Sequence, residues 1–295
     1  MKVYVSGATG FVGSHVVREL RGQGIDVRAE RVDLLDVPAL ERAVQGCDAV
    51  VHVAALYSYD APAEEIDRVN VEGTRNLLEA AGRARVRRFL FTSTAGTCGP
   101  VPGRPATEED EPPAWEVSVP YKRTKLAAEV LAREAGAVVV NPTTPVGPGD
   151  HKPTPTGRMI AGVATGRLPG FVRTTGLNLV DVRDVARGHA LALERGEPGE
   201  RYLLGGANLP LEEIFAAIAD LAGRPRPWIA VPYALAQTAS RLHLANPEEV
   251  KLARLPMYFT SDKARDRLGY EPGPVEPALA IAVAEALNVD GEGGA

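Results

Sequence analysis

Short apolar runs alternate along this chain with longer stretches whose apolar positions recur every three or four residues. The short runs are Val3–Val5, Ile25–Ala29, Ala49–Val53, Phe89–Phe91, Ala137–Val140, Leu177–Val182 and Tyr202–Leu204. Some, such as Ala49-Val50-Val51-His52-Val53, are apolar at nearly every position, which suits strands buried on both faces of a parallel sheet. Helical periodicity covers 11–21, 37–45, 63–83, 121–135 and 184–195. Alternating strands and helices predict an α/β fold, a Rossmann-type doubly wound parallel sheet. The rhythm changes after residue 141. Pro142, Pro145, Pro148, Pro153 and Pro155 break up one segment, and from 207 onward the pattern is mostly helical. Residues 1–150, with about 177–205, are expected to form the domain built on that sheet. Residues 151–176 and 206–295 are expected to form a smaller, mostly helical substrate lobe. The glycine-rich tail from Asp290 is expected to fray.

The first strand runs straight into Ser6-Gly7-Ala8-Thr9-Gly10-Phe11-Val12-Gly13, and a helix follows. Strand, glycine loop and helix together set a diphosphate at a helix N-terminus, where backbone N–H groups lack intrahelical partners. Gly7 and Gly10 suit the tight turn and a close phosphate. Gly13 lets the helix pack against the sheet. Gly7, Gly10, Phe11, Val12 and Gly13 are therefore candidate cofactor contacts. The spacing is Gly-x-x-Gly-x-x-Gly rather than the commoner Gly-x-Gly-x-x-Gly.

A net charge of −5 argues against nonspecific nucleic-acid binding. No apolar run is long enough for a membrane span, and the first strand begins too early to leave room for a targeting segment. Cys47 and Cys98 have no metal-ligand spacing and suit a reducing, cytoplasmic setting. Cys98 is expected to be buried filler, and Glu108-Glu109-Asp110-Glu111 a solvated acidic loop. His151 has no second ligand at suitable spacing, so no metal site is expected.

Two further segments carry chemistry. Tyr121 and Lys125, in Pro120-Tyr121-Lys122-Arg123-Thr124-Lys125, share one helical face. A tyrosine pKa of about 10 is too high for acid–base work at neutral pH. A neighbouring ammonium and a positive nicotinamide ring would lower it, and Lys125 can also bond the nicotinamide ribose. Phe89-Leu90-Phe91-Thr92-Ser93-Thr94 ends a strand in three hydroxyls, at the sheet edge that faces ligands in open α/β folds. Thr94 is the first candidate for the catalytic hydroxyl and Ser93 the second.

With these motifs, Asp33-Leu34, Val51-His52-Val53-Ala54-Ala55, the stretch Val69-Asn70 through Glu79-Ala80, and Val182-Arg183-Asp184-Val185-Ala186 resemble the extended short-chain dehydrogenases/reductases. That superfamily holds nucleotide-sugar epimerases, dehydratases and dihydroflavonol-reductase-like enzymes. Val140 through Arg158, Thr175 through Val180 and Glu200 through Gly206 resemble the hopanoid-associated sugar epimerase subgroup. The resemblance implies an adenine contact at Asp33, a cofactor contact at Leu34, backbone contacts at Ala54 and Ala55, Asn70 near the cofactor, and Pro142 against the nicotinamide. It also implies a homodimer paired through helices 63–83 and 121–135.

Two departures bear on specificity. Nucleotide-sugar epimerases usually carry asparagine three residues before the Gly147-Pro148 pair, where this chain has Thr144. The chain also passes from Ile25–Ala29 almost directly to Asp33, without the strand that many relatives insert there. In that stretch Glu30 favours NAD, while Arg28 and Arg31 favour NADP; two arginines beside one acid incline the reading to NADP. Tyr57, with Ser58 and Tyr59, and Ser93, Thr144 and Lys152 are candidate substrate contacts. The first functional reading is a sugar or nucleotide-sugar epimerase. The second is an NADPH-dependent carbonyl reductase, and the third a noncatalytic NAD(P)-binding regulator. Regulators of that kind often lose the tyrosine or lysine that this chain keeps.

Overall fold

In a computed structural model, residues 1–57, 61–173, 175–242 and 246–292 are described. Ser58 and Tyr59 lie outside them. The first half contains β1 (Lys2–Ser6), α1 (Phe11–Gly22), β2 (Asp26–Arg28), α2 (Val37–Val44), β3 (Ala49–His52), α3 (Ala63–Asp67), α4 (Gly73–Arg83) and β4 (Arg88–Thr92). There follow α5 (Ala114–Val117), α6 (Pro120–Glu134), β5 (Val138–Pro142), β6 (Thr144–Val146), α7 (Pro155–Ala164), β7 (Gly170–Val172), β8 (Gly176–Asp181) and α8 (Val182–Arg195). The chain continues through β9 (Arg201–Leu204), β10 (Ala207–Pro210), α9 (Leu211–Leu221), β11 (Ile229–Val231), α10 (Tyr233–Arg241), α11 (Pro247–Leu252), α12 (Asp262–Leu268) and α13 (Glu276–Glu292).

Six parallel strands in the order β2-β1-β3-β4-β5-β9 form the main sheet. Its central strands are largely apolar because both faces are covered. Val3, Val5, Val51, Leu90, Val138 and Val140 pack with α1 and α8. The alternate residues Tyr4 and Val50 face Leu40 and Leu77 of α2 and α4, and Phe91 and Val139 face Ala128 and Ala132 of α6. The strand order reverses between β1 and β3, so the loop after β1 opens at the switch point where such sheets bind ligands. With no strand between β2 and Asp33, β2 is the edge.

The run at Leu177–Val182 forms β8, which pairs with β10 and β6 in a separate three-stranded sheet, while α8 and β9 return to the main one. The short β7 and β11 pair in parallel. Residues 63–83 are helical as read, but a π turn at Arg68–Glu72 joins α3 to α4. α13 continues to Glu292, past the start of the expected fray, because Leu279, Val283 and Leu287 anchor it to the second core. The acidic loop is a correction. Glu108 is buried and its Oε1 accepts from Leu203 N at 2.7 Å, because the backbone of β9 offers that carboxylate a donor. Among the described residues no helix is long and apolar enough to cross a membrane.

Candidate active site

The glycine loop is shaped by what a side chain would strike. Gly7 has φ +69°, and a Cβ there would lie 2.6 Å from Ala54 N. A Cβ on Gly13 would overlap the Gly7 carbonyl oxygen. Gly10 caps α1 with no side-chain hydrogen bond, and the first turn carries no acidic residue. The N-terminal N–H groups and helix dipole are thus left for an anion. Phe11 and Val12 are half-buried at this turn. Across the crevice, Ala54 is half-buried with its N–H on Ser6 Oγ at 3.3 Å, and Ala55 is exposed.

At the next strand ends the other candidates converge. Thr94 follows β4 in extended backbone (φ −149°, ψ 148°), half-buried, its Oγ1 accepting from Gly96 N at 3.4 Å. Ser93 N is pinned to Val140 O at 2.8 Å, and its buried Oγ has no hydrogen-bond partner. That orphaned hydroxyl, the unfilled glycine cradle and the bare helix end fit a dinucleotide with a substrate beside it. Lys125 is buried on α6, its Nζ donating to Thr92 O at 2.6 Å and lying 4.3 Å from the Phe91 ring centroid. Burial pushes its ammonium down to about 7, with Glu129 resisting. Tyr121, one turn earlier, stacks on Tyr57 with ring centroids 4.4 Å apart. Burial, and then Tyr57, raise its hydroxyl well above the ordinary tyrosine value. The expected lowering by Lys125 is therefore not produced by the protein's own groups, because desolvation of the phenolate dominates.

Other candidates are held differently from their expected roles. Asn70, in the π turn, clamps the backbone of Leu56: Oδ1 accepts from its N–H at 2.7 Å and Nδ2 donates to its carbonyl at 3.2 Å. Nδ2 also donates to Thr124 Oγ1 at 3.1 Å. Asn70 thus ties the segment before Tyr57 to the helix of Tyr121. Arg28 Nη1 donates to the carbonyls of Arg42, Ala43 and Gln45, and its Nε lies 3.7 Å from Glu30. The C-terminal carbonyls of α2 thus occupy the guanidinium that the sequence offered to a 2′-phosphate. Arg31 and Asp33 are exposed, and Asp33 Oδ1 accepts from Leu35 N at 2.9 Å. Leu34 has its side chain in the core, with its carbonyl accepting from Asn76 at 3.0 Å. Pro142 is buried at the end of β5, Thr144 half-buried on β6, and Lys152 exposed in the loop beyond. A cavity of about 360 Å³ lies in the lobe, lined by Phe171, Arg173, Pro210 and Tyr258 among others, and by none of these candidates.

Three buried polar groups escaped the sequence reading. His52 accepts at Nδ1 from Ser6 Oγ, 2.7 Å away, and donates from Nε2 to Thr74 Oγ1 at 3.0 Å. The tautomer follows because Thr74 spends its own proton on Asn70 O at 2.6 Å. This chain joins the glycine-loop strand to the Asn70 clamp. On the other side, Glu129 Oε2 accepts from Thr97 Oγ1 at 2.6 Å and Asn141 Nδ2 at 2.9 Å, and Oε1 faces Arg201 Nη1 at 3.1 Å. Glu116 and Lys122 form a buried ion pair at 3.2 Å against Gly96. A polar residue inside an apolar run, such as His52 in β3 or Asn141 in β5, was the available signal. Cys98 is buried as expected, its thiol pushed up to about 12 by burial. Among the described residues no cluster could hold a metal.

Residues 3–205 match the model of the NAD dependent epimerase/dehydratase family. A Synechocystis protein provisionally named dihydroflavonol 4-reductase is 37% identical, the match covering 95% of this chain and 93% of that one. Sterol demethylase protein B of Methylococcus capsulatus is 33% identical over 96% of this chain and 98% of its own. The crystal structure of a Pseudomonas aeruginosa nucleoside-diphosphate-sugar epimerase superposes with a TM-score of 0.83 at 28% identity, covering 99% of this chain and 98% of that chain.

Proposed function

This chain belongs to the NAD dependent epimerase/dehydratase family and is an NAD(P)-dependent enzyme, and from that premise we propose that it is a carbonyl reductase. The observation that carries the reading is Thr144 on β6, at the position where nucleotide-sugar epimerases usually carry an asparagine. Tyr121, buried on α6 one turn before Lys125, is placed to give its proton to a carbonyl oxygen.

The cofactor, when bound, supplies the hydride. Gly7, Gly10, Phe11, Val12 and Gly13 hold its diphosphate at the start of α1, with Asp33, Leu34, Ala54, Ala55 and Pro142 along its length. Lys125 keeps two ammonium protons beyond the one bonded to Thr92 O and offers them to the ribose. Thr94 donates to the substrate oxygen, Tyr121 protonates it, and the orphaned Ser93 hydroxyl takes a polar group of cofactor or substrate. Tyr57, stacked on Tyr121, forms one wall of the substrate pocket, with Thr144 and Lys152 on the lobe side. The preference for NADP rests on Arg31, since Arg28 and Glu30 are engaged with each other. Thr144 in place of asparagine, and the names of the reductase and sterol-processing relatives, favour a ketone on an apolar skeleton. We also infer a homodimer through α4 and α6, whose outer face exposes Val130.

The test is NADPH consumption with a panel of ketones. Stoichiometric loss of NADPH absorbance is expected. Tyr121→Phe should lower turnover by about 10²–10⁴-fold while cofactor binding, followed by fluorescence, is retained. Full turnover in that variant would remove Tyr121 from the chemistry. The second reading, a sugar epimerase, has its support in the full-length likeness to the Pseudomonas aeruginosa protein. Inversion of a nucleotide-sugar stereocentre with no net cofactor consumption would favour it.

A further inference from the structure

The C-terminal lobe carries an apolar face that its own fold leaves uncovered. Nine large apolar side chains are exposed among the described residues, and six of them lie here: Leu168, Leu221, Trp228, Ile229, Leu235 and Leu242. Trp228 is 83% exposed, Leu235 61% and Leu242 63%. Surface helices normally turn their leucines inward, yet α10 buries only Ala236 and turns Leu235 outward. The residues are gathered by topology. Pairing of β11 with β7 brings Trp228 and Ile229 beside Leu168 and Pro169, and Ile229 N reaches Pro169 O at 3.5 Å. At the other end of the ribbon Arg173 N donates to Val231 O at 2.8 Å, and α10 begins two residues later.

Charge identifies what covers this face. Segments 159–180 and 221–247, which build it, contain Arg167, Arg173, Arg224, Arg226 and Arg241 and no aspartate or glutamate, in a chain of net charge −5. All five arginines are exposed. Arg226 is spent on Asp220 at 2.6 Å and Glu248 pairs with Lys251 at 3.5 Å, so the surplus positive charge of the two segments comes from the other four arginines. Tryptophan and leucine ringed by arginine is the chemistry of a surface that seats apolar side chains among lipid headgroups. A second copy of the chain fits less well, because a two-fold interface would bring two copies of this arginine-rich, carboxylate-poor face together.

We propose that this face docks the protein on an anionic bilayer surface, with Trp228, Leu235 and Leu242 entering the interface and the arginines over the headgroups. The proposal does not depend on which reaction is catalysed. The chain has two tryptophans, so Trp115→Phe leaves Trp228 as the sole reporter. That protein should sediment with vesicles of equal parts phosphatidylglycerol and phosphatidylcholine and not with phosphatidylcholine alone. Its emission should shift to the blue, and binding should weaken as salt rises. Arg241→Gln should weaken binding about five-fold. In the otherwise native protein, Leu235→Gln with Leu242→Gln and Trp228→Ala should abolish sedimentation while circular dichroism is unchanged. Equal sedimentation of that folded variant, or no difference between the two vesicle types, overturns the proposal. So does a dimer that the triple variant dissociates in light scattering while neither protein binds vesicles; the face then belongs to a second copy.

Discussion

His52 is the residue whose environment departs furthest from what a strand position implies. It is fully enclosed between Ser6 and Thr74, and burial, with Lys125 nearby, pushes its pKa down to about 3. In the unfolded chain it titrates at about 6.5. Between those values the unfolded state carries a proton that the native state does not, so stability falls as pH drops from 6.5 toward 3. His189, held by Thr92 and Val185, is pushed to about 4 and acts in the same sense. Glu116 opposes them. Its carboxyl is raised to about 7 by burial, so the native state holds the extra proton and stability falls as pH rises from about 4.5 to 7. We expect the urea midpoint of His52→Asn to be lower than native at pH 7 but to fall less between pH 6.5 and 4.5. Equal acid slopes in the two proteins would remove His52 from the account. Composition and spacing identified Thr94, Tyr121 and Lys125 as candidates. They were silent on protonation, which depends on how much water the fold removes around each group.

The elements that read most clearly were those with one uninterrupted period. The glycine loop was legible because its glycines sit at fixed offsets between a strand and a helix, and the structure gives Gly7 and Gly13 a steric reason. Gly13 is the sharpest case, since any Cβ there overlaps the Gly7 carbonyl. Gly13→Ala is expected to cost about 1–3 kcal/mol by overpacking and to weaken cofactor binding, read from thermal melts with and without NADPH. An unchanged melt and unchanged binding would mean that the turn relaxes freely. The region 63–83 read as one helix, yet it contains the π turn of Asn70. One extra residue barely disturbs an apolar period, so the pattern could not reveal it. The turn nonetheless aims Asn70 at Leu56 and Thr124 rather than along the helix surface. Strands β6, β7, β10 and β11 were likewise missed. With three or four residues each they have too little pattern to stand out, and partners far along the chain hold them in place.

At the scale of the whole molecule, the buried network around Arg201 joins parts that are distant in sequence. From β9 it donates to the carbonyls of Glu108 at 2.7 Å, Thr97 at 3.2 Å and Asp110 at 2.9 Å, and pairs with Glu129 of α6. Removing one partner strands a buried charge. Arg201→Met should therefore destabilise the protein by about 3–5 kcal/mol, and adding Glu129→Gln should restore part of that loss. Denaturant melts of the three variants check it, and strictly additive losses would deny the coupling. The sequence by itself determined the alternation of strand and helix, the glycine turn that is the candidate diphosphate site, and the candidate acid with its lysine. Those signals are local, carried by periods of two and 3.6 residues and by fixed offsets along one chain segment. Only the tertiary structure decided that Tyr121 is buried against Tyr57, that Arg28 is spent on α2, that Glu108 is buried under β9, and that α10 faces outward. Each of those outcomes is a matter of desolvation or of a partner supplied from elsewhere in the chain, and neither is written in the spacing of neighbouring residues.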